Sequence, residues 1–77
     1  MILHVYIRKD EETNTYFSEI MELSGVFSQG STVDECMSNT KEAIELALED
    51  EKSREYFGIF DDSLHIEYIV EDVVNVG

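Results

Sequence analysis

Two histidines, one cysteine and a large surplus of carboxylates are the residues of this 77-residue chain that could do chemistry. His4 and His65, with Glu67 two positions further on, are of the types that bind a transition metal or respond to pH near neutrality. They could meet only if their segments lie side by side, and the alternative is that both imidazoles sit partly buried at a subunit contact. Cys36 falls near an expected helix start, where the dipole lowers a thiol pKa, but Asp34 and Glu35 beside it oppose that effect. It reads as a small core residue. A two-metal nuclease needs carboxylates converging from central strands, whereas Ile2 to Arg8 carries no acid and has His4 at its middle. The chain contains no Cys-His-Asn arrangement, no phosphate-cradling glycine loop and no serine elbow. The expectation is therefore a non-enzymatic protein with no catalytic residues, no metal and no cofactor.

The elements that must position these residues follow from hydrophobic spacing. Residues 2 to 8 alternate, with Leu3, Val5 and Ile7 on one face and Ile2, His4, Tyr6 and Arg8 on the other, which predicts a strand. Lys9 to Thr15 is polar and suits a turn. Tyr16 to Met21 reads as a second strand, Ser24-Gly25 as a bend, and Val26 to Gln29 as a short third strand. Thr32 followed by Glu35 is a capping-box spacing. Beyond it Val33, Met37, Thr40, Ile44, Ala47 and Leu48 recur on one helical face, with Cys36 and Ala43 at its edges. Gly58 offers a helix stop, and Gly25 and Gly30 read as turn residues. Leu64 to Val70 alternates again, setting Leu64, Ile66, Tyr68 and Val70 against His65, Glu67 and Ile69. The right-handed crossover rule returns this last strand beside the first. The expected fold is α+β, a two-layer β-β-β-α-β domain over residues 1–77 with one helix on one face of a four-stranded sheet.

Charge and size limit the partners. Eighteen Asp and Glu against five Lys and Arg give a formal charge of -13, which repels phosphate backbones and acidic membranes and attracts basic proteins. Direct nucleic-acid binding and membrane association are not expected. A lone cysteine and the lack of a long apolar run fit a soluble protein of the reducing cytoplasm. One helix covers one sheet face, so Ile2, Tyr6 and Ile69 on the other, with Val74 in the apolar tail, are the expected face of a homodimer. On the helix and the acidic loop after it, Glu42, Glu45, Glu49 and Glu51 are the candidate contacts to a basic partner, set against the alternative of a solvated helix face.

The run Glu22-Leu23-Ser24-Gly25-Val26, then Gln29-Gly30, Thr32 as cap, and Asn39 with Lys41-Glu42-Ala43-Ile44, together with Tyr16-Phe17 upstream, resembles the HicB antitoxin family and its shorter HicB-like relatives. Members commonly carry a Pro-Glu-Leu-Pro-Gly-Cys-like run there; Met21, Ser24 and Val26 depart from it at the two prolines and the cysteine. The resemblance implies a fold like a reduced ribonuclease-H domain and a role in neutralising a small basic mRNA-cleaving toxin of the HicA type. Many members continue into a DNA-binding domain. This sequence stops at Gly77 without a basic segment, as in a short form or a fragment. A solitary HicB-like adaptor with a non-toxin partner, and a metal-binding or degenerate hydrolytic domain using His4 and His65, are the competing readings.

Overall fold

Alternating strands and one long amphipathic helix do form, in the expected order. The computed structural model describes residues 1–61 and 63–71. Strands β1 (Ile2–Asp10), β2 (Thr15–Ile20) and β3 (Phe27–Gly30) precede helix α1 (Val33–Ala47), a short helix α2 (Glu51–Phe57) and strand β4 (His65–Glu71). The sheet order is β3-β2-β1-β4, with β1–β2 and β2–β3 antiparallel and β4 parallel to β1. The chain is thus α+β, with a mixed four-stranded sheet. Asn14, in the left-handed region at φ 56°, closes the β1–β2 turn, a conformation that asparagine tolerates better than most residues.

Register sorts every strand residue onto one of two faces. Leu3, Val5 and Ile7 are fully buried, and opposite them stand Ile66, Tyr68 and Val70 of β4 and Ile20 and Ser18 of β2. α1 covers this face, resting chiefly on β2 and β3. Its buried stripe is Cys36, Thr40, Ile44 and Leu48, a strict four-residue repeat. Val33, Met37 and Ala47, expected within that stripe, lie half-buried at its margin. The helix is rolled so that Cys36, assigned to an edge by periodicity, points straight into the core. Burying each large aliphatic side chain contributes roughly 1.5 to 3 kcal/mol.

Three local interactions fix the helix on the sheet. The Thr32 hydroxyl caps α1 by accepting from the Glu35 N–H at 3.0 Å, half of the expected reciprocal box. Thr40, buried and polar, shares a 2.6 Å hydrogen bond with the Ser18 hydroxyl and donates to the Cys36 carbonyl, so its burial leaves no lone donor. Gly30 corrects the turn reading: a Cβ there would stand 2.5 Å from the Cys36 nitrogen and 2.9 Å from its Cα. Glycine lets the end of β3 touch the first turn of α1.

The helical run breaks after Leu48 because Asp50 begins a second helix, its carboxylate accepting from the Ser53 N–H at 2.7 Å. This helix is additional to the single one expected. It ends at Gly58, which adopts φ 70° as the spacing predicted. Ile59, just beyond, is buried and closes one end of the core.

Candidate functional site

Because the buried stripe of α1 runs through Cys36, Thr40, Ile44 and Leu48, its opposite stripe is fixed as well. Glu42, Glu45 and Leu46 on the helix and Glu49 just past its end recur at i, i+3, i+4 and i+7, all exposed, around a shallow depression of about 430 Å³. Leu46 is 70% exposed among the three carboxylates. The fourth candidate contact, Glu51, is exposed on the first turn of α2, beside Arg54, Glu55 and Phe60. Three of the four acids thus share one stripe; Glu51 extends the acidic surface onto the next element.

The other sheet face carries Ile2, His4, Tyr6 and Arg8 from β1, Phe17 and Glu19 from β2, Phe27 and Gln29 from β3, and His65, Glu67, Ile69 and Glu71 from β4. Of the expected homodimer residues, Ile2 is exposed, while Tyr6 and Ile69 are cross-strand neighbours and half-buried. Val74 lies outside the described residues. Larger apolar exposure occurs elsewhere on this side: Met21 and Phe27, exposed at 68% and 70%, line with Tyr6 and Val26 a groove of about 460 Å³. The alternation of β3 indicates this position for Phe27; Met21, expected as the last residue of the second strand, lies in the turn just after β2, which ends at Ile20.

His4 has a partner that the sequence reading missed. Glu22 accepts from the His4 backbone N–H at 2.7 Å through Oε1 and from the ring Nδ1 at 2.6 Å through Oε2. Since β2 ends at Ile20, the Glu22 side chain takes the place of the next strand carbonyl, while Met21 N–H still donates to the His4 carbonyl. Glu67 lies 3.8 Å from the ring Nε2. The Glu22 hydrogen bond, with the negative charges of Glu22 and Glu67, outweighs desolvation and raises the His4 pKa above its ordinary value. Burial acts to raise the Glu22 carboxyl, but the hydrogen bonds from the His4 ring and backbone outweigh it and hold it below the usual range. His65 shares the face but is exposed, and it stands opposite Ile2 rather than against His4. Among the described residues, no three His, Cys, Asp or Glu side chains are grouped to hold a metal ion. Cys36 is fully buried, a core residue. No helix among the described residues is long and apolar enough to cross a membrane.

The described residues thus present two candidate binding surfaces, the acidic side of α1 and the open sheet face. No solved structure matches the chain. A UPF0150 protein of Synechocystis sp. is 42% identical over 59 residues, covering 73% of this chain and 84% of its own length. A UPF0150 protein of Helicobacter pylori is 46% identical over 50 residues, covering 65% and 67%. The model of the HicB_like antitoxin of bacterial toxin-antitoxin systems matches residues 3–73, a span that takes in all of the described strands and helices except Ile2 of β1. The chain therefore belongs to the HicB-like antitoxin family.

Proposed function

We propose that this protein neutralises a small basic mRNA interferase of the HicA type by binding it and occluding the surface with which it grips RNA. The observation that carries the reading is the exposed line of Glu42 and Glu45 on α1 continued by Glu49 just past its end, in a family member of charge -13. A toxin that holds RNA must present positive charge, and an acidic surface competes for it directly. Glu51 extends the same surface. The protein acts by binding rather than by catalysis, makes no direct contact with nucleic acid, and works in the cytoplasm as one domain. Co-elution of the purified chain with a HicA-type toxin should give a complex that weakens as salt is raised. Separate elution at micromolar concentrations and low salt would refute the reading.

The reading includes a homodimer through the open sheet face, with Ile2, Tyr6 and Ile69 at the contact. What supports it is the exposed apolar area of that face together with its partial charge pairing. Arg8 stands 3.8 Å from Glu71, and His4 stands between Glu22 and Glu67, so three of its acids have a basic neighbour, Glu19 being exposed beside them, while Met21 and Phe27 remain exposed. Two copies of so acidic a chain meet with least repulsion on such a face. Light scattering that gives only the monomer mass at micromolar concentration would count against it.

A further inference from the structure

Resting on that reading, we infer that the toxin is held by an acidic ridge with apolar flanks, and that the flanks supply the hold. The ridge is Glu45 on the last turn of α1 and Glu49 just past the helix end, four residues on. On one side lies Leu46, 70% exposed. On the other, a groove of about 340 Å³ runs between α1 and the start of β4, floored by Ile44, Leu48, Leu64 and Ile66. It exists because α1 rests on β2 and β3 and leaves the β4 side of the core half covered, where Ile66 and Tyr68 are half-buried and Val70 is 40% exposed. The groove is therefore a gap in the packing between the two layers.

The occupant is a basic protein surface that carries apolar side chains beside its Lys and Arg residues. Carboxylates on a single ridge orient and accelerate encounter with positive charge but contribute little once exposed to water. Apolar side chains enclosed by a polar rim are the usual source of binding energy. Long basic side chains suit both features, laying aliphatic stems on the apolar flanks while their heads reach Glu45 and Glu49. Two cations line the same groove. Lys41 stands on α1 one turn before Glu45, and Arg54 donates through Nε to the Leu48 carbonyl at 2.8 Å.

The test is the affinity of a purified, inactivated HicA-type toxin for wild type, Leu46→Ser and Glu45→Lys/Glu49→Lys, measured across a salt series. Leu46 is exposed, so L46S should keep the wild-type thermal transition. It should weaken binding about tenfold, chiefly by faster dissociation, with the salt slope unchanged. The double charge reversal should slow association and flatten the salt slope. Wild-type affinity in L46S would overturn the apolar flank while leaving the antitoxin reading intact. No binding of toxin by wild type would remove that reading and the ridge with it.

Discussion

Replacing Gly30 by alanine tests whether the sheet sets the position of the acidic helix. The added methyl would lie 2.5 Å from the Cys36 nitrogen and 2.9 Å from both the Cys36 Cα and the Glu35 carbonyl carbon. All three are backbone atoms of the first turn of α1, so no rotamer change relieves the contact and the helix must move. Overpacking of this kind costs about 1 to 3 kcal/mol. In a chain of this size 1 kcal/mol moves Tm by roughly 4 to 8 °C, so Gly30→Ala should lower Tm by about 4 to 24 °C. Circular dichroism melts of wild type, G30A, C36A and the double variant measure it. Because the clash is with backbone, trimming the Cys36 side chain should not rescue G30A, and the two losses should add. A G30A melt within about 2 °C of wild type, where 1 kcal/mol alone should move it by more, or rescue by C36A, would show that the start of α1 is not held by contact with Gly30.

The His4–Glu22 contact predicts a pH window. A raised His4 pKa stabilises fully below the ordinary imidazole value of 6.5 and is lost as pH rises through the higher folded-state value. A lowered Glu22 pKa stabilises above the ordinary carboxyl value of 4.5 and is lost as pH falls through the lower folded-state value. The difference in urea midpoint between wild type and His4→Gln should therefore be greatest between these values and shrink on either side; a flat difference from about pH 4 to 9 would contradict it. Glu22→Ala also strips the His4 N–H of its acceptor, at a cost of about 1 to 3 kcal/mol by urea unfolding. Thr40→Val breaks the buried pairing with Ser18 and should cost about 1 to 2 kcal/mol. Thr40→Ser should recover most of that loss in the same assay.

The strands were legible in the sequence because β1 and β4 alternate cleanly, and parity alone placed Leu3, Val5 and Ile7 against Ile66, Tyr68 and Val70. The helix start was legible from Thr32, whose hydroxyl takes the Glu35 N–H. What stayed hidden depended on neighbours distant in sequence. Helical periodicity spreads apolar residues over an arc that rightly included Thr40, Ile44 and Leu48, and only the sheet beneath decides that Cys36 faces inward while Val33 and Met37 sit at the margin. Leu23 and Ile59 are buried from the bend and from the residue after Gly58, positions with no period to mark them. β3 runs one residue later than expected, to Gly30, because that glycine pairs with Tyr16 and touches α1. Of the site, the acids on α1 were visible as charge at helical spacing. Glu22 was not, since its role is to replace a strand carbonyl opposite His4, eighteen residues away in sequence.

Toxin neutralisation is assigned to the acidic face of α1 and its continuation through Glu49 and Glu51. The most direct measurement is RNA cleavage by a HicA-type toxin titrated with wild type and with the variant Glu42→Lys/Glu45→Lys/Glu49→Lys/Glu51→Lys. All four residues are exposed, so the variant should fold. Wild type should abolish cleavage near stoichiometric ratio, and the folded variant should leave the toxin active. Equal protection by the two proteins would contradict the account.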